Sequence, residues 1–267
     1  MKKMRNKLGK ILQSIIDDHI IKSQCNENDQ EEDFVDVLLK LQQSKELELT
    51  TDQIKDVIME LFSTASETTA TTIEWAMSEL MRNPRVMNKA QAEVRRRQAG
   101  KPKIEEAELE YLKAIVKETL RLHPPAPLLP RESRESCEIG GYEFPAKTKV
   151  IINERAIGRD PESWMEAESF KPERFLHVHG SKSLDFKGFD FEFIPFGAGR
   201  RICPGISFAT AMIELALSQL LYHFDWQLPN GIKPDELDMT EIFGISCRRK
   251  HDLYVIATPH SFASTSS

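Results

Sequence analysis

The chain has 267 residues, 40% apolar and 29% charged, which is globular composition with enough apolar material for a real core in one large domain or two small ones. Its formal net charge of -6 and sequence pI of about 5.7 exclude a broad nucleic-acid surface, which needs a basic excess. Four cysteines, at 25, 137, 203 and 247, form no C-x-x-C pair, so neither a disulfide framework nor a zinc site is indicated.

The basic start, MKKMRNKLGK, leads into no apolar signal-peptide core. Instead Leu8, Ile11, Leu12, Ile15, Ile16 and Ile20 keep the three-and-four spacing of an amphipathic helix. A charged loop, NENDQEED, precedes a shorter helix, DFVDVLLKLQQ. The longest element is predicted over residues 51 to 82, where Thr50 and Gln53 have capping-box spacing. Asn83-Pro84 ends it and suits the N-cap and first position of a following helix, about 84 to 98, whose three arginines read as a solvated face. A helix over about 108 to 122 carries LEYLKAIVKETLRL and stops before His123 and two prolines.

Past Pro124 the texture changes. CEIGGYEF, with Gly-Gly between strand-like runs, predicts a hairpin, and TKVIINE another strand. Residues 159 to 200 are a long irregular stretch rich in Pro, Gly and aromatics, of the kind that carries function. A final long helix follows over about 204 to 223, then short strands near 225–228 and 251–257 and a disordered tail, SFASTSS. The apolar run SFATAMIELALSQLLYHF is interrupted by Glu214 and Gln219 and is too short and polar to span a membrane. The fold class is mainly α with a small β component.

Within FGAGRRICPG, residues 196–205, Cys203 lies just ahead of a helix start whose free N–H groups favour a thiolate. Arg201 adds positive charge, Phe196 offers an apolar cover, and Gly197, Gly199 and Gly205 allow tight turning and close approach to a flat partner. A thiolate so placed suits an axial ligand of heme. The alternatives are a chance cysteine in a glycine-rich loop and a nucleophile, which would want a histidine base that no local signature supplies.

The loop resembles the heme-binding loop of the cytochrome P-450 superfamily, the heme-thiolate monooxygenases. KETLRLHPP is similar to the E-x-x-R motif, on Glu118 and Arg121, and FKPERF to the P-E-R-F motif, on Glu173, Arg174 and Phe175. STASETTATT resembles the oxygen-activation segment of the long central helix, and TTIEWAMSELMRNPRVMNKAQAEVR is worded like plant microsomal members. The resemblance implies the C-terminal part of that fold: residues 1–123 helical, 124–202 a β-hairpin, meander and heme loop, 203–260 the final helix and short strands, 261–267 a disordered tail.

The resemblance makes Cys203 the axial ligand of heme b (iron protoporphyrin IX), within a cofactor site of Phe196, Gly197, Gly199 and Gly205. Arg131 and Arg201 would hold its propionates. Thr68 would stand beside bound dioxygen with Glu67 as the adjacent acid. Ala65 occupies a position the family gives to glycine, beside Thr64, and narrows the oxygen notch by a methyl group. Glu118, Arg121 and Arg174 would form a buried network that supports the loop. Ser63, Ala65, Thr69, Ala126, Leu128, Leu129, Phe243 and Ile245 would touch a lipophilic substrate.

The implied reaction is NADPH-dependent oxygen insertion into a plant secondary metabolite such as a terpenoid, alkaloid or phenylpropanoid. Lacking a G-x-G-x-x-G motif, the chain would take electrons from NADPH-cytochrome P-450 reductase, docked on the cysteine side near Arg200. Full-length relatives would sit on the cytoplasmic face of the endoplasmic reticulum membrane. This chain, matching somewhat more than half of the fold and without the anchor and first half, is expected to be cytoplasmic or peripheral. A shortened gene model, a splice form or a pseudogene product would each explain it. The alternative function is a non-catalytic fragment with weak or no heme binding. A peroxide-using isomerase or lyase is a third reading, against which Thr68 and the uninterrupted GRRICPG stand.

Overall fold

The computed structural model describes residues 2–25, 32–44, 48–98, 109–176 and 184–262, so most of the predicted tail and of the charged loop lie outside the described residues, while Phe262, expected in the tail, packs its ring against Tyr222 (centroids 4.6 Å apart). Residues Met1–Ser66 and Glu67–Ser267 form two units.

The first unit contains α1 (Lys2–Cys25), α2 (Phe34–Ser44) and the opening turns of α3 (Thr51–Arg82). Ile16, Leu38, Leu39 and Ile54 close a small core with Ile20, Val35, Val57 and Ile58 against it. The apolar stripe on α1 is wider than the face that packs, since Ile11 is 58% exposed. Asp33 caps α2 by accepting from the Val35 and Asp36 N–H groups. At the start of α3 the capping box is made in both directions: Thr50 N–H donates to Gln53 Oε1 (2.8 Å) and Gln53 N–H to Thr50 Oγ1 (3.2 Å).

In the second unit the remaining turns of α3 belong to one core with α4 (Pro84–Gln98), α5 (Glu110–Leu122) and α7 (Ile206–His223). α5 buries ten of its thirteen residues, among them Leu112, Ile115 and Leu120. Ala76, Leu80, Ala90, Val94, Leu217 and Leu221 fill the centre from the other helices. Each large apolar side chain so buried stabilises the fold by about 1.5–3 kcal/mol. Pro84 opens α4 and Asn83 stands at its N-cap position, its carbonyl accepting from Met87 N–H (3.1 Å), as expected, but its side chain does not cap the helix. Its side-chain N–H donates back to the Glu79 carbonyl (2.8 Å), one of the acceptors that the end of α3 leaves without a helical partner. α7 starts at Ile206, two residues later than predicted, because Pro204 and Gly205 form a turn.

Among the described residues the β component is four antiparallel two-stranded pairs. β1 (Leu128–Glu132) pairs with β4 (Lys149–Asn153), and β2 (Cys137–Ile139) with β3 (Tyr142–Phe144) across Gly140 and Gly141. Both glycines have positive φ (59° and 81°), which a two-residue hairpin turn of this kind requires. β5 (Phe224–Gln227) pairs with β8 (Ile256–Pro259), and β6 (Glu241–Phe243) with β7 (Cys247–Arg249). The β6–β7 hairpin was not predicted, and the strand expected at 251–257 is confined to its end. Between β4 and the irregular stretch, α6 (Glu154–Ile157) is a single turn capped by Asn153, whose Oδ1 accepts from Ala156 N–H. The last segment is fastened to α3: the Cys247 carbonyl accepts from Trp75 Nε1 (3.1 Å), and Leu253 N–H donates to Glu74 Oε1 (3.2 Å).

Candidate active site

The site is built on a buried ion network. Glu118 and Arg121, three residues apart on α5, are both fully buried and paired through two bonds of 2.8 Å. Arg121 finishes its hydrogen bonding on backbone carbonyls, giving Nη1 to Gly158 and Ala167 and Nη2 to Ser169. All five of its N–H groups are thereby used. Glu118 Oε1 also accepts from Arg174 Nε (3.0 Å) and Lys171 N–H (2.7 Å), and Arg174 reaches the Met165, Glu166 and Ser169 carbonyls. Two arginines and one carboxylate thus hold the irregular segment 158–174 against α5.

Next to Arg174, in a 3-10 turn (Pro172–Phe175), Glu173 works outward. It accepts from Arg85 (3.0 Å), Lys89 (3.4 Å) and the Tyr111 hydroxyl (3.0 Å). Burial pushes its carboxyl up, but the bonds from Arg85 and Tyr111 outweigh this and hold it at about 2. The Tyr111 hydroxyl is pushed up, by burial first and then by its bond to Glu173.

A chain of aromatic rings runs from the network to the cysteine loop. The Arg121 guanidinium lies 5.1 Å from the Trp164 ring centroid. Trp164, Phe175, Phe193, Phe186 and Phe196 then follow at centroid spacings of 5.8, 4.9, 6.5 and 5.3 Å. Phe196 meets Phe186 edge-on, and its carbonyl accepts from Cys203 N–H (2.9 Å), closing the loop over residues 196–203.

Cys203 is a free thiol, half-buried. Gly197 has φ of 72°, and a β-carbon there would stand 3.4 Å from Arg131 Nη2, so the Arg131 side chain lies directly against the loop. Gly199 also has positive φ, and Gly205 faces the Cys203 sulfur. Neither Arg131 nor Arg201 has a carboxylate partner among the described residues. Arg131 Nη1 donates to the Pro130 carbonyl (2.8 Å), and a free thiol beside two arginines that face no carboxylate among the described residues fits a heme and its propionates.

Glu67 and Thr68 lie on α3, which stays helical throughout. A regular helix is natural where Ala65 stands in place of glycine. The Thr68 carbonyl accepts from the Thr72 hydroxyl (2.9 Å), Glu67 Oε1 accepts from Ser246 Oγ, and the buried Thr69 Oγ1 has no hydrogen-bond partner. Ser63 and Ala65 are on the same helix within the first unit, where Ser63 Oγ donates to the Glu60 carbonyl.

The remaining expected substrate contacts do not gather. β1 alternates, so Leu129 and Arg131 share the half-buried face while Leu128 points the other way, 51% exposed. Leu129 lies near Gly197. Ala126 is half-buried just ahead of β1. Ile245 is 96% exposed at the tip of the β6–β7 hairpin. Phe243 lines a charged rather than apolar cavity of about 470 Å³, with Glu79, His123, Arg155, Arg159 and Glu241.

That cavity belongs to a cluster the sequence did not signal. His123 stacks on Trp75 with ring centroids 4.0 Å apart and planes within 4°. Its Nε2 meets Glu79 Oε1 (2.7 Å) and its Nδ1 meets Glu241 Oε1 (3.3 Å). Burial raises Glu241, but the bond to His123 and the nearby Arg155 and Arg159 bring it below the usual carboxylate range. Glu154 is buried with Oε2 unpaired, and burial pushes it well up. Burial also pushes the Cys247 thiol to about 11, whereas Cys137 is exposed.

A long helix, an E-x-x-R helix, a 3-10 turn, a cysteine loop and a final helix in this order define the class of heme-thiolate folds. Solved structures bear this out: a zebra fish cytochrome P-450 with abiraterone matches with a TM-score of 0.79 and 28% identity, covering 95% of this chain and 59% of that one. The family model for cytochrome P-450 matches residues 1–254, and the chain belongs to that family. Among curated proteins it is similar to a melianol synthase of Ailanthus altissima, 58% identical over 267 residues, covering 97% of this chain and 51% of that protein. It is also similar to the desmethyl-deoxy-podophyllotoxin synthase of Sinopodophyllum hexandrum, 56% identical, covering 97% of this chain and 52% of that protein. The chain spans about half the length of the curated relatives it matches. No described helix is long and apolar enough to cross a membrane.

Proposed function

We propose that this chain carries the heme-binding and oxygen-activating part of a monooxygenase acting on a lipophilic plant metabolite. The balanced reaction is RH + O2 + NADPH + H+ giving ROH + H2O + NADP+. Electrons come from NADPH through a separate flavoprotein reductase that docks on the cysteine side at the endoplasmic reticulum face. The observation that carries the reading is the free Cys203 thiol on a closed loop beside Arg131 and Arg201, two arginines without carboxylate partners among the described residues. Heme b, when bound through that sulfur, supplies oxygen binding and O–O cleavage.

The chain's residues supply the rest. Arg131 and Arg201 hold the propionates by forked hydrogen bonds. Glu118, Arg121 and Arg174 keep the segment before the loop rigid, so the sulfur is presented in one place. Glu67 and Thr68 hold and pass protons from the α3 side. The names of similar proteins, melianol synthase and desmethyl-deoxy-podophyllotoxin synthase, support a bulky lipophilic substrate, with a terpenoid as the first choice.

The test is the carbon monoxide difference spectrum of the reduced, heme-titrated chain. The parent gives the red-shifted Soret band of thiolate ligation, and Cys203→Ser abolishes it. A band that survives Cys203→Ser overturns the assignment. A non-catalytic fragment is the second reading. It is favoured by the exposure of Phe208 (63%), Met212 (42%) and Leu215 (43%) along one side of α7, and a parent chain that takes up no heme establishes it.

A further inference from the structure

The turn between β6 and β7 combines the most exposed and one of the most buried positions of the site. Ile245 is 96% exposed and Ser246, the next residue, 4%. Ser246 Oγ donates to Oε1 of Glu67, 179 residues earlier in the chain. Cys247 N–H donates to the Pro125 carbonyl (2.8 Å), and the Cys247 carbonyl accepts from Trp75 Nε1 (3.1 Å). With its neighbour tied on both backbone groups, Ser246 is held at a fixed place beside α3, and the hydroxyl is presented to the carboxylate by the scaffold. Glu67 is otherwise an exposed helical glutamate, free to sample several rotamers. One charge-assisted hydrogen bond selects among them before any reaction begins.

We propose that Ser246 is a positioning residue for the Glu67 carboxyl. It occupies Oε1, so that Oε2 is the oxygen that takes a proton from solvent and hands it on. Ser246 keeps its own proton, and no covalent bond to it changes. The inference rests on the reading of Glu67 as the acid of the oxygen-activating pair, and it names what keeps that acid in place.

Three variants test it: Ser246→Ala, Ser246→Thr and Glu67→Gln. The first measurement needs no cofactor. The side-chain carboxyl carbon resonance of Glu67, assigned by its loss in Glu67→Gln, is expected to move in Ser246→Ala and to return in Ser246→Thr. The second uses the chain loaded with heme, with NADPH, a flavoprotein reductase and oxygen but no added substrate. There peroxide formation takes one NADPH per O2 and water formation takes two. In Ser246→Ala the oxygen leaving as peroxide is expected to rise roughly tenfold relative to that leaving as water, the weight of one hydrogen bond to a charged group. Ser246→Thr restores the ratio, and the carbon monoxide spectrum stays unchanged in both. A Glu67 resonance that ignores Ser246→Ala overturns the contact. A peroxide ratio that rises in Glu67→Gln but not in Ser246→Ala overturns the positioning role alone. A ratio unmoved in Glu67→Gln, or a parent that binds no heme, overturns the proton-relay reading itself and the inference with it.

Discussion

Glu118 and Cys203 mark two regions built to opposite standards. Around Glu118, every N–H of Arg121 has a partner and both carboxylate oxygens are occupied, at zero side-chain exposure. Around Cys203, the thiol is free and the arginines face no carboxylate among the described residues. The difference teaches a division of labour. The support is finished in the protein itself, which makes it rigid, and the loop it supports is left incomplete so that an outside group can finish it. Five aromatic rings transmit the rigidity of the first to the second without sharing its polar contacts.

The comparison breaks most severely at Arg121. Arg121→Ala strands a buried carboxylate and should cost about 3–5 kcal/mol in urea unfolding. Arg121→Lys should recover little of this, because three donors on a single point cannot replace a planar fork of five. Gly158→Ala is next. A β-carbon there collides with the backbone carbonyl of Arg121. The overlap should destabilise by about 1–3 kcal/mol in urea unfolding. Acid gives a smaller effect. Glu173 is held at about 2 in the fold against an ordinary carboxylate value of 4.5, so its contribution is present above about pH 4.5 and fades as pH falls toward 2. Glu173→Gln should flatten the stability curve across that window. The smallest effect sharpens the contrast from the other side. Arg201→Ala should change unfolding free energy by no more than about 0.5 kcal/mol, because the side chain is exposed and has no ion-pair partner among the described residues. The same variant should measurably weaken heme retention in a transfer assay.

What the sequence told in advance was local. Thr50 and Gln53 are three residues apart, and their bonds form within one turn of chain. Gly140-Gly141 specifies its turn by backbone sterics alone, and the α5 apolar pattern needs no partner to be read. The ring chain and the charged cavity were not legible, since His123, Trp75 and Glu241 are ordinary residues until the fold stacks and pairs them. Gly158 gave no signal either, because its need for a missing side chain arises from the close passage of Arg121. The β6–β7 hairpin was missed because its strands have three residues each and FGIS carries no alternation. The amide of Asn83 chose an acceptor behind it over the helix ahead, a competition between neighbours that sequence spacing does not rank. Naming Leu128 and Leu129 together overlooked that adjacent residues on a strand face opposite ways, so only Leu129 shares the face of Arg131.

The tie between Trp75 and Cys247 spans 172 residues. During synthesis at roughly 5–20 residues per second, the indole is made about ten to thirty seconds before its acceptor exists. Loop-closure entropy adds only slowly with so long an intervening chain, so the delay is one of timing rather than of equilibrium. The indole N–H of α3 therefore has no native acceptor until residue 247 has been made. Ser246 and Cys247, made long after α3, are the residues that fasten to Glu67 and Trp75.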